Sequence, residues 1–123
     1  MITERIIRGR PANVIFNYMP DVLSSLEVRV MRQESQSLDD RFVGSIEASA
    51  ERDPDLVVKV RIEGWKENWS HVAGRFIPQI YTSHLIVEVF DASEGRPKET
   101  DRSLELLKNL DLKLNRYLWH TAG

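Results

Sequence analysis

The run Val58-Lys59-Val60-Arg61-Ile62-Glu63 decides the fold class. Apolar and charged residues alternate strictly, which is the period of a strand with one buried and one solvated face. On a helix Val60 would fall on the side opposite Val58 and Ile62, so the run would have no single apolar face. Arg52-Asp53-Pro54-Asp55 precedes it and has the composition of a tight turn. On the far side of that turn Phe42, Ile46, Ala48 and Ala50 share one face, opposite Ser45, Glu47, Ser49 and Glu51. Further upstream Leu26, Val28 and Val30 alternate with Glu27, Arg29 and Met31. Three alternating runs with short connections predict an antiparallel meander. The polar stretch 33–41 reads as a turn within it.

Downstream, 80–90 reads as the longest strand. Tyr81, Leu85, Val87 and Val89 lie on one face and Ile80, Ile86 and Phe90 on the other. At the N-terminal side, 2–18 reads as a β-hairpin turning at Arg8-Gly9-Arg10-Pro11, with Val14, Ile15 and Phe16 as the return strand. Met19-Pro20-Asp21 ends that strand, and 21–25 supplies one helical turn. After the loop with Gly95 and Pro97, Thr100 or Asp101 caps a helix. Leu104, Leu106, Leu107, Leu110, Leu114, Tyr117 and Leu118 fill one arc of that helix, so this face packs on the sheet. Leu112 and Trp119 fall outside the arc. The expected architecture is a single α+β domain over 1–123. An N-terminal hairpin plus meander, about five to six antiparallel strands, packs against one C-terminal amphipathic helix.

Composition narrows the function. There is no cysteine, so disulfides and thiolate metal sites are excluded. Seventeen basic and nineteen acidic residues give a net charge of −2, which provides no general attraction for nucleic acid. Arg5, Arg8 and Arg10, with Arg29 and Arg32 nearby and Trp65 and Trp69 as stacking surfaces, would be the group to bind a single strand. Glu4, Glu27 and Glu34 lie among those arginines and can neutralise them. Residues Met1 to Arg5 include no apolar signal-peptide core, and no apolar run is long enough to span a bilayer. A cytoplasmic or virion location without signal-peptide secretion, and without a membrane partner, is expected.

No catalytic, cofactor or metal site is expected. His71, His84 and His120 have no ligand spacing, and His71, His84 and Asp91 would meet only through the fold. Asp39-Asp40 and Asp53/Asp55 occupy polar turns, where carboxylates stay solvated. Asp111, at the edge of the leucine arc, needs a basic partner or an interface. No nucleophile elbow or phosphate-binding glycine motif is present. The residues left without an obvious intramolecular home are Trp65, Trp69, Leu112 and Trp119, which makes them the candidate interface.

In order of elements, with hairpin, meander, long last strand and terminal helix, the chain loosely resembles the coat proteins of single-stranded RNA phages. Small neck and tail proteins of tailed phages also combine a sheet with one helix. Both resemblances are topological and carry no residue roles. They imply a non-catalytic structural subunit of a homo-oligomer, in contact with copies of itself and other subunits. A small-ligand-binding module, with a pocket around Tyr81, Trp65 and Phe76, is the alternative, and a weak nucleic-acid-binding coat-like protein is another.

Overall fold

The computed structural model describes residues 2–8, 10–65 and 82–120, and of Ile2, Arg8, Trp119 and His120 the backbone only. The elements run β1 (Ile2–Arg8), α1 (Ala12–Ser25), β2 (Val28–Leu38), β3 (Arg41–Ala50), β4 (Leu56–Trp65), β5 (Thr82–Asp91) and α2 (Asp101–His120). The five strands form one antiparallel sheet in the order β1-β5-β4-β3-β2. The α+β class, the meander and the C-terminal helix are as the patterning requires.

The alternation in β4 sets the layering. Val58, Val60 and Ile62 stand in register with Ala48, Ile46 and Gly44 on β3 and with Val89, Val87 and Leu85 on β5. All of them are buried, and both helices cover this face. Leu107, Leu110 and Leu114 of α2 join the same core. The opposite face carries Lys59, Arg61 and Glu63 among half-buried Val43, Val57, Ile86 and Phe90.

The N-terminal hairpin does not form. Residues Ala12 to Ser25 are helical, so the return strand expected at Val14, Ile15 and Phe16 is the first half of α1, and the molecule has two helices. The physical reason is the spacing of the buried set Ala12, Ile15, Phe16, Met19, Val22 and Leu23, which falls on one helical face. Packing that face on the sheet outweighs the strand preference of the β-branched residues. Pro11 opens the helix with its carbonyl accepting from Ile15 N at 3.2 Å, and Pro20 is carried inside the helix rather than ending it. Phe16 lies directly on Gly44, where an added Cβ would come within 2.5 Å of the ring. Gly44 therefore leaves the space that lets α1 approach β3.

A second correction concerns 33–41. It is not a turn: β2 continues to Leu38, and Asp39-Asp40 alone reverse the chain, with Asp39 at φ 50°. Asp tolerates this left-handed conformation better than most side chains. Gln33, Ser35 and Ser37 share the covered face through their partners Ile46, Gly44 and Phe42, yet they are exposed. This part of the edge strand lies outside the helices' cover, so its sequence is polar on both sides. Met31 sits at a register shift between Val30 and Arg32.

The start of α2 is fixed by a buried carboxylate. Asp91, 1% exposed, accepts from Ser93 N at 2.8 Å, from the Thr100 hydroxyl at 3.1 Å and from Arg102 Nη2 at 3.4 Å. The hydrogen bonds from Ser93, above all, hold its pKa below the usual carboxylate value. Thr100 is the cap: its N donates to Ser103 Oγ at 2.8 Å, and Ser103 N donates back to Thr100 Oγ1 at 3.3 Å.

Candidate interaction surfaces

The four residues expected at an interface fare differently. Trp65 ends β4 on the open sheet face, 45% exposed, with the Arg41 guanidinium 5.6 Å from its ring centroid. Leu112 projects from the outer side of α2 and is 55% exposed. Trp69 lies outside the described residues, as does the Trp119 side chain. Trp65 and Leu112 stand on opposite sides of the molecule, because α2 packs on the face that Trp65 does not share.

Two surfaces therefore present apolar groups. The open sheet face combines Trp65 and Ile6, which is 71% exposed, with half-buried Ile86 and Phe90. Its centre is a depression of about 460 Å³ lined by alternating charges, among them Arg32, Glu47, Lys59, Arg61 and Glu88. Lys59 stands opposite both Glu47 and Glu88 and lies 5.5 Å from the Phe90 ring centroid. The second surface is the outer face of α2. There a smaller depression of about 150 Å³ is bounded by Leu26, Asn109, Leu112, Lys113 and Arg116.

The arginines do not gather into one basic group. Arg5 points beneath α2 and donates to the carboxylate of Asp111 and to the side-chain oxygen of Asn115. Asp111 thus has the basic partner its position requires. Arg10 donates to the Leu118 carbonyl at 3.4 Å and sits 5.8 Å from the Tyr117 ring, itself 4.9 Å from that of Tyr18. Burial pushes the Tyr117 hydroxyl pKa up, against the nearby Arg10 charge. Arg29 and Arg32 are on β2, at the opposite edge of the sheet from β1. Arg32 is held by Glu34 at 2.6 Å. The expected proximity of Arg29 and Arg32 to Arg5 and Arg10 therefore fails, because β1 and β2 are the two edges of the sheet.

His84 and Asp91 point to opposite faces of β5, His84 beside Glu4 at 3.6 Å and Asp91 into the core. His71 and the His120 side chain lie outside the described residues. Among the described residues no group of three His, Asp or Glu side chains is placed to hold a metal ion, and no helix is long and apolar enough to cross a membrane. Asp53 is engaged by Arg102, while Asp39 and Asp40 form the β2–β3 turn. Sequence reasoning missed the pairing of Arg5 with α2, since residues more than a hundred positions apart leave no local signal. The chain matches no known family model, no curated protein and no solved structure.

Proposed function

We propose that this chain is a non-catalytic structural subunit that assembles with copies of itself. The observation that carries this reading is the pair of apolar surfaces on opposite sides of the molecule, one around Trp65 on the open sheet face and one around Leu112 on α2. Large apolar side chains in such places gain roughly 1.5–3 kcal/mol each when another surface covers them. The interspersed charges around both surfaces would set register rather than supply affinity. A virion or a phage neck or tail is the setting we propose, on fold class alone. The likeness to RNA-phage coat proteins needs an N-terminal hairpin, and α1 stands in its place.

The open-face depression favours a second reading, a module that binds a small zwitterionic ligand against Lys59, Arg61, Glu47 and Glu88. The pocket expected around Tyr81, Trp65 and Phe76 is not the basis for it, because Tyr81 and Phe76 lie outside the described residues.

Mass in solution separates the two. Self-assembly predicts a defined multiple of 14.3 kDa by light scattering. A mass of 14.3 kDa at every concentration up to roughly 0.1 mM, where even weak association shows, would reject it.

A further inference from the structure

On α2, Glu105, Asn109, Leu112 and Arg116 recur at spacings of four, three and four, and all four are exposed. That spacing makes a single straight stripe along the helix, the seam geometry of paired helices. The stripe is acidic at its N-terminal end, apolar and amide in the middle, and basic at its C-terminal end. Glu105 and Arg116 form no salt bridge within the described chain.

We propose that this stripe is a two-fold contact, with α2 of one subunit lying antiparallel along α2 of a second copy. The proposal rests on the self-assembly reading above and names its surface. Antiparallel alignment about the midpoint of the stripe sets Glu105 against Arg116 of the partner subunit, and Asn109 against Leu112 of the partner subunit. By symmetry each contact occurs twice. Each Leu112 side chain then enters the depression beside Asn109 and Leu26 on the other copy. Parallel alignment would instead put Glu105 against its own copy and Arg116 against its own, so charge excludes it. Lys108 flanks the stripe on one side and stays in solvent, while half-buried Lys113 flanks the other and forms part of the depression's wall. Arg102, one turn before Glu105, is already engaged by Asp53 and Asp91 of its own subunit and does not join the seam. A second copy therefore satisfies the whole stripe, charge and shape together, without any other component.

Charge reversal tests this directly. Glu105→Arg and Arg116→Glu each turn two attractive contacts per dimer into repulsive ones, and each should weaken association by roughly tenfold or more. The double variant Glu105→Arg/Arg116→Glu should restore it. Sedimentation equilibrium reads the association, and circular dichroism confirms that each variant is folded. The native chain has no cysteine, so cross-linking gives an independent readout. Oxidation with copper–phenanthroline should couple Glu105→Cys/Arg116→Cys into a covalent dimer, while either single substitution should not couple. An oligomer whose association ignores both single reversals and whose double-cysteine variant fails to couple overturns the α2 contact and leaves the self-assembly reading standing. A wild-type chain that stays monomeric overturns both.

Discussion

Along β4, neighbouring residues live under opposite rules. Ile62 is fully buried on the face that the helices cover, while Arg61 and Glu63 beside it face the open side of the sheet. The two faces have the same backbone, strands and register, so the difference lies only in what covers them. On the covered face, identity is set by volume, as where Gly44 yields its space to Phe16. On the open face, charges alternate across strands, Lys59 between Glu47 and Glu88, and many residues would serve. Stability therefore resides on one face, and the other is available for contacts with other molecules.

The largest test of that division is Ile62→Ala. Removing a fully buried core side chain should cost about 2–5 kcal/mol in denaturant unfolding. A loss near zero would mean the helices do not hold this face closed.

The second test sits at the rim of the covered face. Because the native fold holds the Asp91 pKa below its ordinary 3.8, ionised Asp91 contributes stability above that ordinary value. The contribution is lost as pH falls through the lower native value. Wild type should therefore exceed Asp91→Asn in stability at neutral pH, with the gap closing in acid below the ordinary value. A gap that is constant with pH would show that the hydrogen bonds matter and the charge does not.

The smallest expected effect is next door to the largest. Arg61→Gln, on the open face, should change unfolding free energy by no more than about 0.5 kcal/mol. A larger loss would show that the open face contributes to the fold after all.

Much of the covered face was legible in the sequence, because burial on one side forces alternation in β3 and β4, and in β5 the set Leu85, Val87 and Val89 keeps that period although Ile86 and Phe90 are apolar on the other face. The leucine arc of α2 was legible for the same local reason, and its cap was narrowed to Thr100 or Asp101, of which Thr100 makes the capping bonds. Two segments were not legible. In α1 the run Val14-Ile15-Phe16 has strand-like composition, and Pro20 argues for a break. The decisive signal was the wider recurrence from Ala12 to Leu23, visible only in a window longer than one strand. The far half of β2 lies outside the helices' cover, so it has no buried face and no alternation to read. The candidate surfaces were half legible. Leu112 stood out because the leucine arc excludes it, and Trp65 because it follows the alternating run with no obvious partner in the chain. The opposition between the two surfaces depends on which face α2 covers, which no single strand or helix records.

The position of β1 has a kinetic consequence. It is the first strand of the sheet to leave the ribosome, yet its only strand partner among the described residues is β5, with Ile2 opposite Glu88. Until β5 emerges, β1 has no strand to bond, and α1 has no complete sheet to lie on. The β2–β3–β4 meander can pair by local zipping well before that. Chain closure across so long an interval is slow relative to hairpin formation. The edge of β4 therefore stays open until β5 emerges, and the far edge of β5 then stays open until β1 closes on it. An isolated peptide spanning β1 and added during refolding would compete for that edge in the interval before the chain's own first strand arrives.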